Sequence, residues 1–271
     1  MTLFRKFRAK IIQSRAFLRS TRTAVPLVLD SFKLKRSPFI AETKQGLRLE
    51  LMPRCGDSFT FYENLIRHDY LRHGIELKAG DVVVDIGANI GAFTVLAAAQ
   101  VGPSGRVFAF EPSSAVYGRL LRNLELNHLS NVTPIKCAVG GENGRAKLEL
   151  GVKSAYATIC HGIDGRQDQS PTEDVEVRRL SDIVREHNID RIDLLKMDCE
   201  GAEYAIFDTL EQTLAATVRQ IAMEVHDISG RNRSTLLDRL RQLGFTVQPT
   251  YPLTAMRGSS NSQAAAFTAT V

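Results

Sequence analysis

Residues 81–91, Asp81-Val82-Val83-Val84-Asp85-Ile86-Gly87-Ala88-Asn89-Ile90-Gly91, decide the fold. The uninterrupted valines read as a parallel strand covered on both faces. Gly91-Ala92-Phe93-Thr94-Val95-Leu96-Ala97-Ala98-Ala99 follows as a small-residue helix able to lie close on a sheet. Between them, the glycines let the backbone turn sharply and leave no side chain between a ligand and the amides at the helix start. Such a unit outlines a small-molecule site, although α/β proteins without a ligand also contain glycine turns here.

Working outward, Arg106-Val107-Phe108-Ala109-Phe110-Glu111-Pro112 is a second short strand ending in an acid. Ser113 or Ser114 then caps a helix with Val116, Leu120, Leu121 and Leu124 on one face. A third strand is expected over Asn131 to Val139. The rhythm resumes with the strand Ile192 to Asp198, which runs into Cys199-Glu200-Gly201-Ala202-Glu203 and a helix. Gln220 to His226 forms the next strand, and a leucine-rich helix closed by Gly244 follows. Phe245 to Val247 and Ala266 to Thr270 are expected to make a terminal antiparallel pair. This alternation argues a doubly wound α/β sheet with right-handed crossovers. Upstream, Leu47 to Leu51 alternates as a strand, and Asp57 to His73 reads as one helix capped by Asp57 or Ser58. Residues 145–178 break the rhythm and read as an insertion over one end of the sheet, where a substrate could be covered.

The 271 residues suit one α/β domain with attachments. No apolar run reaches the roughly 18 residues that a membrane-crossing helix needs. The scattered Cys55, Cys137, Cys160 and Cys199 lack paired metal spacing and point to reduced thiols in a cytoplasmic compartment. Net charge is +5, unevenly distributed: residues 1–36 hold ten bases against Asp30 alone, a net of +9, and the remainder holds 25 bases and 29 acids, a net of −4. We therefore divide the chain into a basic arm, 1–40, and a body, 41–271. Phe4, Phe7, Ile11 and Leu18 recur at helical spacing among the bases, as in a helix lying peripherally on an anionic membrane through residues 1–23. A partly disordered basic tail, or an organellar transit peptide, would share this composition.

Ligands of doubly wound sheets sit beyond the carboxyl ends of the strands, which here carry Asp85-Ile86-Gly87, Glu111-Pro112, Cys137-Ala138, Asp198-Cys199-Glu200 and Glu224-Val225-His226. Glu111 lies 20 residues after Gly91, where a carboxylate can accept from both hydroxyls of a ribose. The turn reads Gly-x-Asn-x-Gly, unlike the Gly-x-Gly-x-x-Gly of a pyrophosphate-binding site. A rim of carboxylates repels a pyrophosphate and tolerates a sulfonium and an ammonium, so S-adenosylmethionine fits better than NAD.

Three ordered motifs, Asp85 to Gly91, Phe110-Glu111-Pro112 and Lys196-Met197-Asp198-Cys199-Glu200-Gly201-Ala202-Glu203, resemble the FkbM family of S-adenosylmethionine-dependent methyltransferases. The resemblance runs from about Asp57 to His226. It implies a class I methyltransferase (Rossmann-like) fold: a seven-stranded, mostly parallel sheet with the last strand antiparallel, here with an N-terminal helical extension. It also implies hydroxyl methylation of sugars, glycolipids or polyketides. Carried over by position, Asp85, Gly87, Ala88, Asn89 and Gly91 would hold the methionine end of the cofactor. Glu111, followed by Pro112, would hold the ribose, and Cys137 and Ala138 would lie near the adenine. Cys199 stands where the family more often shows a branched aliphatic residue.

A hydroxyl is a poor nucleophile until deprotonated, so transfer calls for alignment and a base. Asp198 and Glu200 are base or substrate-orienting candidates. His226 is a third, on account of its ordinary near-neutral pKa, unless it is simply a surface histidine. Glu203 is expected to satisfy the first amides of its helix, and Lys196 to pair with Asp198. Asp198, Glu200, Glu224, His226 and Asp227 could also gather a divalent cation, Mg²⁺ or Mn²⁺, though spacing alone assigns no metal ligand. A nucleic-acid methyltransferase using the arm is the enzymatic alternative, disfavoured by the acidic body and the absence of tryptophan. A non-catalytic cofactor-binding module is the other.

Overall fold

The computed structural model describes residues 3–150, 157–160 and 171–258. Helices α1 (Leu3–Ser20) and α2 (Ala24–Ser31) lead to an antiparallel hairpin of β1 (Phe39–Glu42) and β2 (Arg48–Leu51). The helix α3 (Asp57–Phe61) runs into a π turn at Tyr62–Ile66, and a 3₁₀ turn follows at Asp69–Leu71. The single helix expected over 57–73 is thus broken. His68 enters the left-handed region at φ 52°, and Gly56 takes the N-cap at φ 92°. Asp57, freed from capping, accepts the Met52 amide and pairs with Arg119.

Next come β3 (Val82–Ile86), α4 (Ala92–Val101), β4 (Arg106–Phe110), α5 (Ser114–Leu126), β5 (Val132–Ile135) and β6 (Ala138–Gly140). They are followed by β7 (Gly144–Leu150), β8 (Ala157–Cys160), β9 (Thr172–Arg179), α6 (Leu180–Glu186), β10 (Leu194–Met197) and α7 (Glu203–Thr209). The described chain closes with α8 (Gln212–Ala215), β11 (Gln220–Met223), α9 (Arg233–Gln242), β12 (Thr246–Gln248) and β13 (Leu253–Met256).

Seven strands form the main sheet in the order β12-β13-β11-β10-β3-β4-β5. All are parallel except β13, which runs against both neighbours, so this is the class I methyltransferase sheet with its last strand reversed. Central β3 is buried throughout. Its alternation sends Val82, Val84 and Ile86 into a core with Ile183, Phe207 and Leu240, and Val83 toward Phe93, Ala97 and Val101 of α4.

Two strand expectations are corrected. The stretch 131–139 divides, because Pro134 lacks an amide for a ladder on its free side and suits the sheet edge. The chain leaves the main sheet after Ile135, and Ala138–Gly140 joins a second sheet of order β6-β9-β7-β8. The partner of β12 is Leu253–Met256, and residues 266–270 lie outside the described ones. In the 145–178 region the second sheet brings Leu148 against Ala138 and Val175.

The basic N-terminal segment is packed on the body. Phe17 of α1 and Leu27 of α2 are fully buried in one cluster with Leu49, Phe61, Leu96 and Leu120. Phe7 and Leu18 remain 54% and 62% exposed, and the side chain of Phe4 lies outside the described ones. Among the described residues, no helix is long and apolar enough to cross a membrane.

Candidate functional site

The chain leaves β3 toward β4 and β5 on one side and returns to β10 and β11 on the other, so a topological switch point lies between β3 and β10. Register sets Ile86 opposite Met197, which places Gly87 beside Asp198 just past the two strand ends. Gly87 has φ 76°, and a Cβ there would lie 1.9 Å from the Asp198 carbonyl oxygen. At Gly91 a Cβ would come within 2.6 Å of Leu120 Cδ1. These glycines therefore serve close packing, Gly87 against the chain after β10 and Gly91 against α5, and do not hold amides open. The Gly87 and Ala88 amides donate to the Phe110 carbonyl, Asn89 N to Glu111 Oε2, and Ile90 N to Asn89 Oδ1.

Two cavities meet at this switch point. The first is lined by Glu111, Pro112, Val116, Cys137, Ala138 and Leu148 around the turn. The second is a cleft of about 900 Å³ whose walls include Ala88, Glu63, Tyr70, Lys196, Glu224 and His226. Gly87, Asn89, Asp198 and Glu200 line both. The predicted residues thus converge, with two exceptions: Asp85 and Gly91 line neither cavity. Asp85 is fully buried; its Oδ2 accepts from Thr94 Oγ1 at 2.6 Å, and its Oδ1 lies 3.0 Å from Lys196 Nζ. Lys196 also donates to the Gly87 carbonyl at 2.8 Å. The expected Lys196–Asp198 pair is replaced by this one, because β10 and β3 place Lys196 opposite Asp85. Burial opposes the Lys196 charge, but Asp85 and Asp198 outweigh it and raise the pKa.

Burial pushes Glu111 up to about 7, against the lowering effect of the Ser113 and Asn89 amides that it accepts. On the cleft side, the buried Tyr70 hydroxyl donates to Asp198 Oδ2 at 3.0 Å, and burial with the nearby acids keeps that phenol neutral. His226 Nδ1 lies 2.9 Å from Glu203 Oε1, while Nε2 faces Glu200 at 3.5 Å and Asp198 at 3.8 Å. Glu203 thus serves His226 and not the helix amides; no side chain caps α7. Burial disfavours the imidazolium, but the Glu203 hydrogen bond and the charges of Glu203, Glu200 and Asp198 lift its pKa to about 9. His226 is thus held above the ordinary near-neutral value expected of it. Burial raises Glu200 against the pull of His226, and raises Glu63 to about 8, with help from Glu224, Asp69 and Asp198.

Of the five cation-ligand candidates, Asp198, Glu224 and His226 offer atoms within 4.8 Å of one another. Asp227 is exposed and outside this group. Glu63, Tyr70 and Tyr251, which hydrogen-bonds Glu224, were not singled out from sequence. Glu63 sits in the π turn and Tyr70 in the 3₁₀ turn, positions that helical periodicity misplaces. Tyr251 lies between β12 and β13 and is recognisable only once β13 is located.

A family model described as "Methyltransferase FkbM domain" matches residues 85–247. The chain is 32% identical over 217 residues to "31-O-demethyl-FK506 methyltransferase FkbM" of Streptomyces tacrolimicus, covering 70% of this chain and 82% of that one. It is 28% identical over 152 residues to "2-O-methyltransferase NoeI" of Sinorhizobium fredii, covering 52% and 61%. A crystal structure of "Methyltransferase FkbM" from Methylobacillus flagellatus aligns with TM-score 0.43 at 16% identity, covering 93% of this chain and 58% of that one.

Proposed function

The chain belongs to the FkbM family of S-adenosylmethionine-dependent methyltransferases, and from that premise we propose that it methylates a hydroxyl of a carbohydrate, glycolipid or related natural product. The observation that carries this reading is the shared wall: Gly87, Asn89, Asp198 and Glu200 face a small recess holding Glu111 on one side and the large acid-walled cleft on the other.

The residues present fit the cofactor. A buried carboxylate, Glu111, stands in the first cavity among the apolar Val116, Leu148 and Phe110, suiting a ribose beside a flat base. S-adenosylmethionine, when bound, supplies an electrophilic methyl on a cationic sulfur. Glu111 would hold the ribose hydroxyls, Pro112 would close that end, and Cys137 and Ala138 would border the adenine. Gly87, Ala88 and Asn89 would border the methionine end, with Asp85 acting through Lys196 to fix the turn. At the far side, Glu200 takes the acceptor's hydroxyl proton, since burial raises its pKa and makes it a stronger base than a solvated glutamate. Asp198, oriented by Tyr70, positions the hydroxyl, and the His226 imidazolium holds both carboxylates in place.

The test is transfer of labelled methyl from S-adenosylmethionine into a host glycan and lipid extract, with mass identification of the product. Label on oxygen is expected; label confined to nitrogen or carbon would overturn the O-directed reading. Glu200→Gln should lower kcat about 10²- to 10⁴-fold.

The outer face of α1 and α2 also supports peripheral membrane contact. Exposed Phe7, Leu18, Val25 and Leu29 alternate there with exposed Arg8, Arg15 and Arg19. Co-sedimentation with anionic but not neutral vesicles, lost in Phe7→Ser/Leu18→Ser, tests it; equal recovery from both vesicle types would count against it.

A further inference from the structure

We propose that the cleft takes an acceptor bearing a phosphate group, which Lys10, Lys33 and Arg54 hold at the mouth while the hydroxyl to be methylated reaches Asp198 and Glu200. The inference rests on the hydroxyl-methylation reading above and names the substrate class of the same site.

The ground is a separation of charge within one cavity. Its deep wall carries Glu63, Asp198, Glu200 and Glu224, and its N-terminal wall carries Lys10, Lys33 and Arg54. Lys10 and Arg54 both reach the turn Phe32-Lys33. Lys10 Nζ stands 5.3 Å from the centre of the Phe32 ring, and Arg54 Nη2 donates to the Lys33 carbonyl at 3.0 Å. None of the three is in an ion pair among the described residues. Buried Asp30, on the same wall, accepts the Arg54 amide at Oδ1 and the Ser58 hydroxyl at Oδ2, both neutral donors. Three positive side chains drawn from α1, the turn after α2 and the loop after β2 thus line the cleft beside one carboxylate, Asp30, which leaves that wall an excess of two positive charges.

A neutral sugar makes no use of that arrangement. A phosphate is attracted to the cationic wall by charge-assisted hydrogen bonds and repelled by the acidic one, so a molecule bearing it is admitted in one orientation only. Its uncharged hydroxyl end then lies inward, toward the groups that accept a proton, and orientation of this kind is itself a large part of the work of transfer. The phosphate can belong to a soluble sugar phosphate or to a lipid headgroup.

The experiment is equilibrium binding to the full chain, measured beside S-adenosylmethionine affinity. The soluble arm compares glucose 1-phosphate with glucose. The lipid arm compares vesicles of phosphatidylcholine containing phosphatidylinositol 4-phosphate with phosphatidylcholine alone. Preference for the phosphate in either arm is expected, and the arm that shows it assigns the source. Lys10→Ala/Lys33→Ala/Arg54→Ala should weaken that binding by about tenfold or more while S-adenosylmethionine affinity holds. Lys44→Ala/Lys78→Ala/Lys147→Ala, which removes three exposed charges outside the cleft, should change it less than about twofold. Equal binding of phosphorylated and unphosphorylated probes in both arms, or equal losses in the two triple variants, would overturn the proposal. Methyl transfer to hydroxyls that is indifferent to phosphate also overturns it and leaves O-methylation standing. Cleft-dependent phosphate binding without any O-methyl product supports it and removes the O-methylation reading instead.

Discussion

Lys196 and Asp85 form a buried ion pair, 3.0 Å from nitrogen to oxygen, that locks the third residue of β10 to the penultimate residue of β3. Because the same ammonium donates to the Gly87 carbonyl, the pair also sets the turn on which both cavities depend. Lys196→Met leaves a carboxylate stranded in the core and should cost about 3–5 kcal/mol in denaturant unfolding. Asp85→Asn/Lys196→Met removes both charges and should regain most of that loss. If the double variant is no better than the single one, the pair is not the source of the cost.

Gly87→Ala would force a methyl carbon onto the Asp198 carbonyl and a side chain into φ 76°. S-adenosylmethionine affinity should fall more than about tenfold by calorimetry, since a whole strand end must shift. At Gly46, where φ is 93° but nothing lies within 4 Å, alanine should cost about 1 kcal/mol of stability and leave that affinity unchanged.

Glu203→Gln removes the charge behind His226 Nδ1. The imidazole should then titrate more than about one unit below its native pKa of about 9, as read from NMR of the ring protons. An unchanged titration would show that Glu200 and Asp198 alone sustain the imidazolium.

Glu63 titrates near 8 in the folded protein and near its ordinary 4.5 when unfolded, with burial the first cause. Between those values the native state holds a proton that the unfolded chain has released, so this group makes stability fall as pH rises from about 4.5 to about 8. Its contribution to the slope is at most about 1.4 kcal/mol per pH unit, reduced by solvent reaching the cleft. Urea unfolding of Glu63→Gln across that range should show a flatter dependence than the parent chain.

Asp198, Glu224 and His226 come together closely enough to hold a cation, yet His226, with its pKa raised to about 9, is protonated at neutral pH and offers a cation no lone pair. Methyl transfer should therefore survive thorough chelation with less than about twofold change, and added Mg²⁺ or Mn²⁺ should not accelerate it. Loss of activity restored by either ion would make the three residues a metal centre.

What was legible in the sequence was local. The valine run, the glycine turn and the acids at strand ends are written in consecutive residues, and the strand order then brings Gly87, Glu111, Asp198 and Glu200 together. Partnerships across the fold were not legible. Lys196 faces Asp85 because of register, and Glu203 turns to His226 across 23 residues of chain. Tyr70 reaches Asp198 only because the helix before it breaks, which apolar spacing did not signal. The arm was read by its charge, which describes its outer face well. Its anchoring residues, Phe17 and Leu27, are single apolar side chains among many and became recognisable only in contact with the body.

The π turn at Tyr62–Ile66 contains one residue more than an α-helical path would need, and it carries Glu63 into the cleft. Loss of a single codon there would restore ordinary winding and swing the flanking side chains about 100° around the axis. The cleft wall could thus be rewritten in one genetic event, with the central sheet untouched. Acceptor preference in such a scaffold can diverge by a change of length as readily as by a change of residue.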